Sequence, residues 1–426
     1  MHLPDEDIVG AVRRLFPDAP RFNDIDRIML RTAAGPKNEP PKHIFMIGME
    51  SYDSWPLMDK YRSLGITEQL RGLAKGGLHV QAFLPSDEYS MRFANTVITG
   101  LPEAGIQTNW QFTAQKPFPS SLPDTMRKLG YRTRFFCGAP LDWQNCQHFC
   151  KVQGFDEVYG SLDIVRGTNS EITPNLWAAP DELLWKFIDS KIQDDEPSFT
   201  FVFSSSYHVP YDIDLEAAGC PLKEVPADLE SAWAVPREAH LRKLGHLWYA
   251  DKCLGEFVHA MENRVTRPVF AITGDHFGRN FINGKPTLYE KASVPLVLYG
   301  KQVLAGIKLP EGVAGGHVDL PATLIELTAP RGFRYHAFGQ NLLVPQKRFF
   351  AYGSGRVLGH NYIAEVDRPD VLQPIPGREL PKTHPDIDTL HALYRAARGV
   401  SWWRLKRGPE LPAANVQVAS EGRILR

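Results

Sequence analysis

The stretch Pro268-Val-Phe-Ala-Ile-Thr-Gly-Asp-His-Phe-Gly278 decides the fold of this 426-residue chain. Its apolar run, residues 269–272, ends in Thr-Gly, which is typical of a buried parallel strand that closes in a tight turn. Asp275 and His276 follow directly. Open α/β sheets bind ligands outside the carboxyl ends of their strands, so this pair lies at the edge of the sheet where active sites are found. One hard oxygen and one neutral nitrogen suit a divalent metal ion, although an isolated Gly-Asp-His is more often only a polar turn.

A second stretch, Lys42-His-Ile-Phe-Met-Ile-Gly-Met-Glu50, repeats this pattern and ends in an acid. Two buried strands that each end in a metal-type ligand are much harder to attribute to chance than one. Strands at about 43–48, 199–203 and 269–273 alternate with helical stretches. The sequence therefore predicts an α/β fold with a mostly parallel central sheet, flanked by helices on both faces.

The composition is that of a soluble globular protein, with 43% hydrophobic and 23% charged residues. A net charge of −1 provides no electrostatic surface for nucleic acid. The cysteines are odd in number and lack the spacing of a zinc finger; the closest pair, Cys146 and Cys150, is interpreted as incidental. No apolar run reaches transmembrane length, and the first residues do not have the pattern of a signal peptide.

A third segment, Pro85 to Pro102, predicts a helix that begins at Ser90. The free N–H groups and the dipole at a helix N-terminus favour an anion such as a phosphoryl group. Ser90 could therefore be a nucleophile beside a bound phosphate. The alternative is that this serine only caps the helix, which is the commonest use of such a residue.

Together these segments resemble the sulfatase-like branch of the alkaline phosphatase superfamily, most of all its lipoteichoic acid synthase and phosphoglycerol transferase group. Glu50 in Met-Glu-Ser, Gly274-Asp275-His276 and Val97-Ile-Thr-Gly-Leu-Pro102 carry the resemblance. It implies that Glu50, Asp275, His276 and Ser90 bind one metal ion and that Ser90, ten residues before Gly100, is the nucleophile. Thr96 and Thr99 are weaker candidates. The group more often has threonine as its nucleophile. The absence of a cysteine at position 90 disfavours a formylglycine sulfatase.

The resemblance also implies residues that contact the substrate. His208, in Ser204-Ser-Ser-Tyr-His-Val-Pro-Tyr211, corresponds to a histidine that faces the substrate phosphate, and Trp143 to a tryptophan that holds glycerol phosphate. Asn145 or Cys146 stands where the group has an arginine. Arg279 and Asn280 follow the metal-ligand pair and are candidates for gripping phosphate oxygens, Arg279 through its guanidinium fork. On structural grounds alone, His208 could equally be structural and Trp143 a core residue.

Other matching segments imply structural roles. His246 to Phe257 is interpreted as a packing helix, and Asp319 as a brace for the helix after it; His317 is a minority candidate for supporting the metal site or binding a second ion. Residues 338–366 predict a small antiparallel sheet. Leu390 to Arg407 predicts a basic amphipathic helix that docks on the protein's own surface rather than on a membrane. The expected domains are an N-terminal helix and linker (1–40), a sulfatase-like catalytic domain (41–345), and a C-terminal sheet, helix and tail (346–426).

The function that the resemblance implies is a metal-dependent phosphoryl-group transferase of the phosphoglycerol type, working through a covalent phospho-serine. Its donor would be a phosphodiester or phospholipid head group and its acceptor a glycan or another alcohol. Mn²⁺ is favoured as the single divalent ion, with Mg²⁺ or Zn²⁺ also compatible. Two alternatives stay open: a phosphodiesterase or phosphonate monoester hydrolase with the same site, and a non-catalytic relative used as a binding module.

The expected location depends on the origin of the chain. Members of the resembled group usually carry membrane helices ahead of an extracytoplasmic catalytic domain. If this chain is such a domain cut free, it belongs in the periplasm or on the outer face of the bacterial membrane, close to the bilayer. Otherwise it is a soluble cytoplasmic relative.

Overall fold

The structure is a computed structural model, and it describes residues 5–19, 23–170, 178–224, 237–278, 285–346, 350–368, 370–380, 382–384 and 386–412. The α-helices are α1 (Asp5–Leu15), α2 (Ile25–Ile28), α3 (Glu68–Gly76), α4 (Ser90–Thr99), α5 (Leu122–Lys128), α6 (Cys146–Val152), α7 (Ser161–Gly167), α8 (Asp181–Lys191), α9 (Arg237–Arg264), α10 (Leu288–Ala292), α11 (Leu320–Thr328) and α12 (Ile387–Lys406). The strands are β1 (Leu30–Thr32), β2 (His43–Met49), β3 (Leu78–Val80), β4 (Ala82–Leu84), β5 (Arg132–Cys137), β6 (Glu157–Tyr159), β7 (Ser198–Phe203), β8 (Pro268–Gly274), β9 (Leu296–Tyr299), β10 (Ala314–Gly316), β11 (Arg334–His336), β12 (Ala351–Gly353), β13 (Arg356–Leu358), β14 (Tyr362–Glu365) and β15 (Leu372–Pro374).

A seven-stranded sheet with the order β3-β9-β8-β2-β7-β5-β6 lies at the centre of the molecule. The five strands from β8 to β6 are parallel, and β9 runs antiparallel beside β8. This confirms the predicted mostly parallel sheet. Because Met49 is in register with Gly274, the neighbouring strands β2 and β8 end at the same level.

The central strand β2 is buried along its whole length, which explains its unbroken apolar run. Ile44 and Met46 belong to the core on one face of the sheet, which includes residues of α4, α5, α11 and α12. Phe45 and Ile47 belong to the core on the other face, with residues of α3, α8 and α9. Helices therefore cover both faces, as the sequence predicted.

A second sheet, antiparallel and four-stranded, contains β12 to β15. It confirms the small C-terminal sheet, although its first strand begins at Ala351 rather than near residue 338. Helix α12 follows and docks on the protein's own surface, where Trp403 is buried and the Arg404 guanidinium pairs with Asp26 at 2.7 Å. No helix of the described segments combines the length and apolarity that crossing a membrane requires.

Two element boundaries differ from the sequence pattern, in which the helical spacing of Leu57 to Leu73 predicts one helix and His79 to Leu84 predicts one strand. The helix expected over residues 57–73 consists of 3-10 turns up to Leu64, and α3 begins only at Glu68, because Gly65 adopts a left-handed φ of 60° between them. The strand expected over 79–84 is divided into β3 and β4. Each half pairs with a different partner, β3 with β9 and β4 with β10, so the chain leaves one sheet for the other at Gln81.

Candidate active site

Three side chains that could hold a metal ion meet at the carboxyl ends of β2 and β8. One ligand atom each from Glu50, Asp275 and His276 lies within 4.8 Å of the others, and all three residues are buried. The register of the two strands produces this meeting, because Glu50 and Asp275 are the first residues after strands that end side by side. The structure therefore brings together residues that are 225 positions apart in the sequence.

Asp275 presents one satisfied and one unsatisfied oxygen. Its Oδ1 accepts hydrogen bonds from the backbone N–H groups of Ser51 (2.8 Å) and His276 (2.7 Å). Its Oδ2 is buried and has no hydrogen-bond partner in the described residues. Burial, together with the nearby Glu50 carboxylate, raises the pKa of Asp275 to about 6. A buried carboxylate oxygen without a donor is a position at which a cation fits.

The imidazole of His276 is oriented by the backbone. Its Nδ1 lies 3.0 Å from the carbonyl oxygen of Phe277, which can only accept a hydrogen bond, so Nδ1 carries the proton. In the neutral ring the lone pair on Nε2 is then directed into the cluster, where Glu50 Oε1 lies at 3.5 Å. Burial acts to lower the pKa of His276, but the charges of Asp275 and Glu50 outweigh it and raise the pKa. Two carboxylates and one imidazole fit a single divalent ion.

Ser90 reaches the same cluster from helix α4. It is the first residue of the helix and Tyr89 is the N-cap, so the capping alternative for Ser90 does not describe the structure. Ser90 Oγ lies 3.3 Å from Glu50 Oε2 and 3.3 Å from His276 Nε2. The helix rests closely on the sheet, since a Cβ added to Gly48 would stand 2.4 Å from a ring carbon of Phe93.

The weaker nucleophile candidates lie further along α4. Thr96 and Thr99 are both buried, and the Thr99 hydroxyl donates a hydrogen bond to the carbonyl of Asn95 at 2.6 Å. Gly100 ends the helix in a left-handed conformation with φ 68°. Ser90 is therefore the hydroxyl of this helix that meets the metal-type ligands.

Two supporting residues were missed in the sequence. Ser204 follows β7 and its hydroxyl accepts a hydrogen bond from the N–H of Glu50 at 3.0 Å. Asp53 accepts one from the N–H of Gly278 at 2.7 Å, and burial raises the pKa of Asp53 to about 8. Ser204 carries the same sequence signal as Glu50, because it too follows a buried strand at this edge of the sheet.

His317 and Asp319 support the site from behind. His317 is buried, its Nδ1 accepts from the N–H of Ser86 (3.1 Å), and its Nε2 donates to the carbonyl of Gly274 (3.0 Å). Both ring nitrogens are thus engaged by the backbone, and burial lowers the pKa of His317 to about 3. The carboxylate of Asp319 accepts from the N–H groups of Gly316 and Gln340 at 2.9 and 2.8 Å and makes no side-chain capping hydrogen bond to α11, so it joins the segments on either side of that helix.

A cavity of about 470 Å³ opens beside the cluster, within the size range of small-molecule sites. Glu50, Ser90, Trp143 and His208 all line it, and Trp143 is 37% exposed rather than part of the core. The lining also includes residues that the sequence did not single out, among them Cys137, Asp142 and Asp212.

The remaining predicted substrate contacts lie elsewhere. Asn145 lies outside the cavity lining, and its side-chain amide donates to the carbonyl of Asn109 at 3.2 Å. Arg279 and Asn280 fall outside the described residues. Trp143 and His208 are therefore the predicted substrate-side residues that the structure places at the cavity.

A hydroxyl and three metal-type ligands thus meet at the strand ends of a mixed sheet. The sequence profile of the sulfatase family matches residues 42–330, which is more than half of the chain. The chain therefore belongs to the sulfatase family, as the resemblance indicated.

Several solved structures have the same fold. The lipoteichoic acid synthase LtaP from Listeria monocytogenes is 17% identical, with a TM-score of 0.70 over 94% of this chain and 99% of that one. The phosphoglycerol transferase GacH from Streptococcus pyogenes, in complex with sn-glycerol-1-phosphate, is 12% identical, with a TM-score of 0.51 over 95% and 92%. A phosphonate monoester hydrolase from Silicibacter pomeroyi is 13% identical, with a TM-score of 0.53 over 86% and 96%.

Proposed function

We propose that this protein is a metal-dependent phosphoryl-group transferase of the phosphoglycerol type, acting on a phosphodiester or phospholipid head group. The observation that carries the proposal is the position of Ser90. Its hydroxyl lies 3.3 Å from both Glu50 Oε2 and His276 Nε2, at the first residue of a helix whose free N–H groups favour an anion. The structural similarity to LtaP and GacH supports a transferase of this type.

Glu50, Asp275 and His276 would hold one divalent ion next to Ser90. Mn²⁺ is our first choice, and the ligand set also suits Mg²⁺ or Zn²⁺. When bound, the ion would supply positive charge that lowers the pKa of the Ser90 hydroxyl and offsets the charge of the substrate phosphate. The buried Oδ2 of Asp275, which lacks a hydrogen-bond donor in the described residues, is consistent with such an ion.

In the first step Ser90 Oγ forms a bond to phosphorus, and the bond from phosphorus to the leaving alcohol oxygen breaks. The Ser90 proton leaves toward Glu50 Oε2, the oxygen that accepts its hydrogen bond. The N-terminal N–H groups of α4 stabilise the charge on the non-bridging oxygens. His208 protonates the leaving oxygen and Trp143 contacts the head group, since both line the cavity. Arg279 and Asn280 are proposed to grip the phosphate.

In the second step the hydroxyl oxygen of a glycan or another alcohol forms a bond to the phosphorus of the phospho-serine, and the bond from phosphorus to Ser90 Oγ breaks. His208 takes the proton of the attacking hydroxyl, and Ser90 Oγ regains its proton from Glu50. Water in place of that alcohol would make the protein a phosphodiesterase or phosphonate monoester hydrolase. The similarity to a phosphonate monoester hydrolase favours this second candidate function. We also propose an extracytoplasmic location, close to the membrane that carries a lipid donor.

A turnover assay tests the proposal. The purified protein is treated with a chelator, incubated with a chromogenic phosphodiester, and then given Mn²⁺, Mg²⁺ or Zn²⁺. We expect turnover only with metal, and a transfer product in place of the hydrolysis product once an acceptor alcohol is added. Hydrolysis that no acceptor diverts would establish the hydrolase instead. Absence of turnover with all three ions would overturn both candidate functions.

A further inference from the structure

Large exposed hydrophobic side chains are found in the lining of the active-site cavity and on the segments next to it. In the described residues eight such side chains are strongly exposed, and five of them belong to this region. Trp143 and Val209 line the cavity, and Tyr89 precedes the proposed nucleophile. Trp110 and Phe112, which are 59% and 90% exposed, lie on the neighbouring 3-10 turns of residues 108–115.

The segment that carries Trp110 is fixed to the site by its neighbour Asn109. The side-chain oxygen of Asn109 accepts a hydrogen bond from Asn95 of helix α4 at 3.1 Å. Its backbone carbonyl accepts one from Asn145, two residues beyond Trp143, at 3.2 Å. The turn is thus held between α4 and the turn that bears Trp143. The exposure of Trp110 is therefore a property of a well-anchored turn at the cavity rim.

Positive charge adjoins the Phe112 side of this rim. The hydroxyl of Thr113 donates to the carbonyl of Leu405 at 2.7 Å, which places the segment against the C-terminal end of α12. Three exposed cations stand there without an ion pair in the described part of the chain: Lys116, Lys406 and Arg407. Acidic residues are present as well. Glu410 is exposed beyond Arg407, whereas Asp87 and Glu88, which precede Tyr89, pair with Arg92 and Arg356, so the cations outnumber the exposed carboxylates on the Phe112 side.

We propose that this aromatic rim, consisting of Tyr89, Trp110, Phe112 and Trp143, docks on the surface of an anionic phospholipid bilayer. Trp, Tyr and Phe partition to the boundary between head groups and acyl chains, where each has an apolar body in contact with lipid. The adjoining cations are attracted to an anionic leaflet. Trp143 of this rim lines the cavity that also contains Ser90, so docking would bring lipid head groups close to that cavity.

This inference rests on the proposed function in one respect, the choice of a phospholipid as the donor. Exposed aromatic rings also stack on sugars and pair with a second copy of a protein, and the rim alone does not distinguish these ligands. The neighbouring cations favour the bilayer, because a neutral glycan offers them no counter-charge.

The test compares vesicle binding by the wild type and by the double variant Trp110→Ala/Phe112→Ala. Co-sedimentation is measured with vesicles of equal parts phosphatidylcholine and phosphatidylglycerol, and with phosphatidylcholine alone. We expect the double variant to bind the anionic vesicles at least about tenfold more weakly, because two large apolar side chains no longer enter the interface. Turnover of a water-soluble chromogenic phosphodiester should not change, since neither residue lines the cavity.

Two further variants complete the design. Val344→Ala removes an exposed apolar side chain, 47% exposed, that lines a separate groove beside the N-terminal helix, and should bind vesicles as the wild type does. Lys116→Ala/Lys406→Ala should weaken binding to the anionic vesicles and leave binding to phosphatidylcholine unchanged.

Specific outcomes would overturn the proposal. They are a wild type that does not sediment with anionic vesicles, a double variant that binds as well as the wild type, or a double variant that loses only glycan binding or self-association. Vesicle binding is measured without catalysis, so a failure of the proposed function in the turnover assay leaves this result interpretable. A melting temperature checked in parallel shows that the variants are folded.

Discussion

At the scale of single residues, the hydroxyl of Ser90 is the group on which the proposed chemistry depends. It belongs to a half-buried side chain whose oxygen touches two metal-type ligands and caps no helix. We expect Ser90→Ala to lower phosphodiester turnover by roughly three orders of magnitude or more, because no covalent intermediate can form. The measurement is turnover of a chromogenic phosphodiester, with metal content and melting temperature determined on the same samples.

Ser90→Thr is the matched control, since it keeps a hydroxyl at the same backbone position. It should retain much of the activity that the alanine variant loses. Near-normal turnover by Ser90→Ala would transfer the nucleophile role to another hydroxyl or to water. Loss of turnover together with unfolding would assign Ser90 a structural role.

The buried His317 should make stability depend on pH. Burial lowers its pKa to about 3, whereas the unfolded chain takes up this proton near the ordinary value of 6.5. The stabilising contribution is therefore fully present above pH 6.5 and is lost as the pH falls toward 3. His317→Gln keeps a donor and an acceptor but does not titrate. We expect its melting temperature to fall less than that of the wild type between about pH 7 and about pH 5.

His148→Gln provides the comparison for this experiment, because His148 is exposed. Its melting temperature should follow that of the wild type across the same range. A His317→Gln variant with the pH dependence of the wild type would contradict the assignment of a buried, neutral His317.

Sequence reasoning at this scale worked best where a residue follows a buried strand. Glu50, Asp275 and His276 were singled out in this way, and the structure brings them together. It did not single out Asp53 as the acceptor for the N–H of Gly278, because the two come from segments distant in sequence. Their contact depends on the shape of two turns, and no local pattern encodes that shape.

At the scale of secondary structure elements, Asp251 on one helix caps the N-terminus of another. Its carboxylate, on α9, accepts from the N–H groups of Gln69 (2.8 Å) and Leu70 (3.0 Å), which are free donors in the first turn of α3. It also accepts from the hydroxyl of Tyr52 at 2.8 Å. Thr67, the N-cap residue of α3, provides no side-chain cap of its own. The carboxylate therefore replaces a local cap.

We expect Asp251→Ala to lower the free energy of unfolding by about 3 kcal/mol, because it leaves three donors buried without an acceptor. Tyr52→Phe removes only one of these hydrogen bonds and should cost about 1 kcal/mol. Urea unfolding of the two variants and the wild type measures both values. Equal costs for the two variants would contradict the capping role of Asp251.

The predicted elements were most accurate where a whole strand belongs to a single sheet. The strands near 43–48, 199–203 and 269–273 were found because each is buried on both faces, and such strands have unbroken apolar runs. Residues 79–84, His-Val-Gln-Ala-Phe-Leu, were predicted as one strand. The division at Gln81 follows from pairing with two different strands, which the local sequence does not contain.

At the scale of the whole molecule, metal binding should couple to global stability. The cluster holds two carboxylates with an unsatisfied buried oxygen, so an ion that binds only the folded chain should stabilise it. At about a hundredfold excess over the dissociation constant the gain is about 2.7 kcal/mol. For a protein of this size we expect the melting temperature to rise by about 3 °C, measured by thermal unfolding of chelator-treated protein with and without Mn²⁺.

Asp275→Asn is the control for metal coupling. It keeps an oxygen to accept from the N–H of Ser51 but removes the charge that an ion requires. Its melting temperature should respond little to Mn²⁺. A metal response as large as that of the wild type would show that the ion binds elsewhere.

The close approach at Gly48 bears on how such a site can change over evolution. Ser90 is carried by a helix and the metal-type ligands by the sheet, and the two are in contact where the ring of Phe93 occupies the space of a missing methyl group. The distance from the proposed nucleophile to the metal-type ligands is consequently set by the spacing between helix and sheet rather than by any one loop. Substitutions in the hydrophobic interior, remote from any substrate, could shift Ser90 relative to the metal-type ligands by fractions of an ångström and so change its reactivity. Every polar residue of the site would stay the same. Lineages that share all the chemical groups could thus diverge in rate through their cores alone.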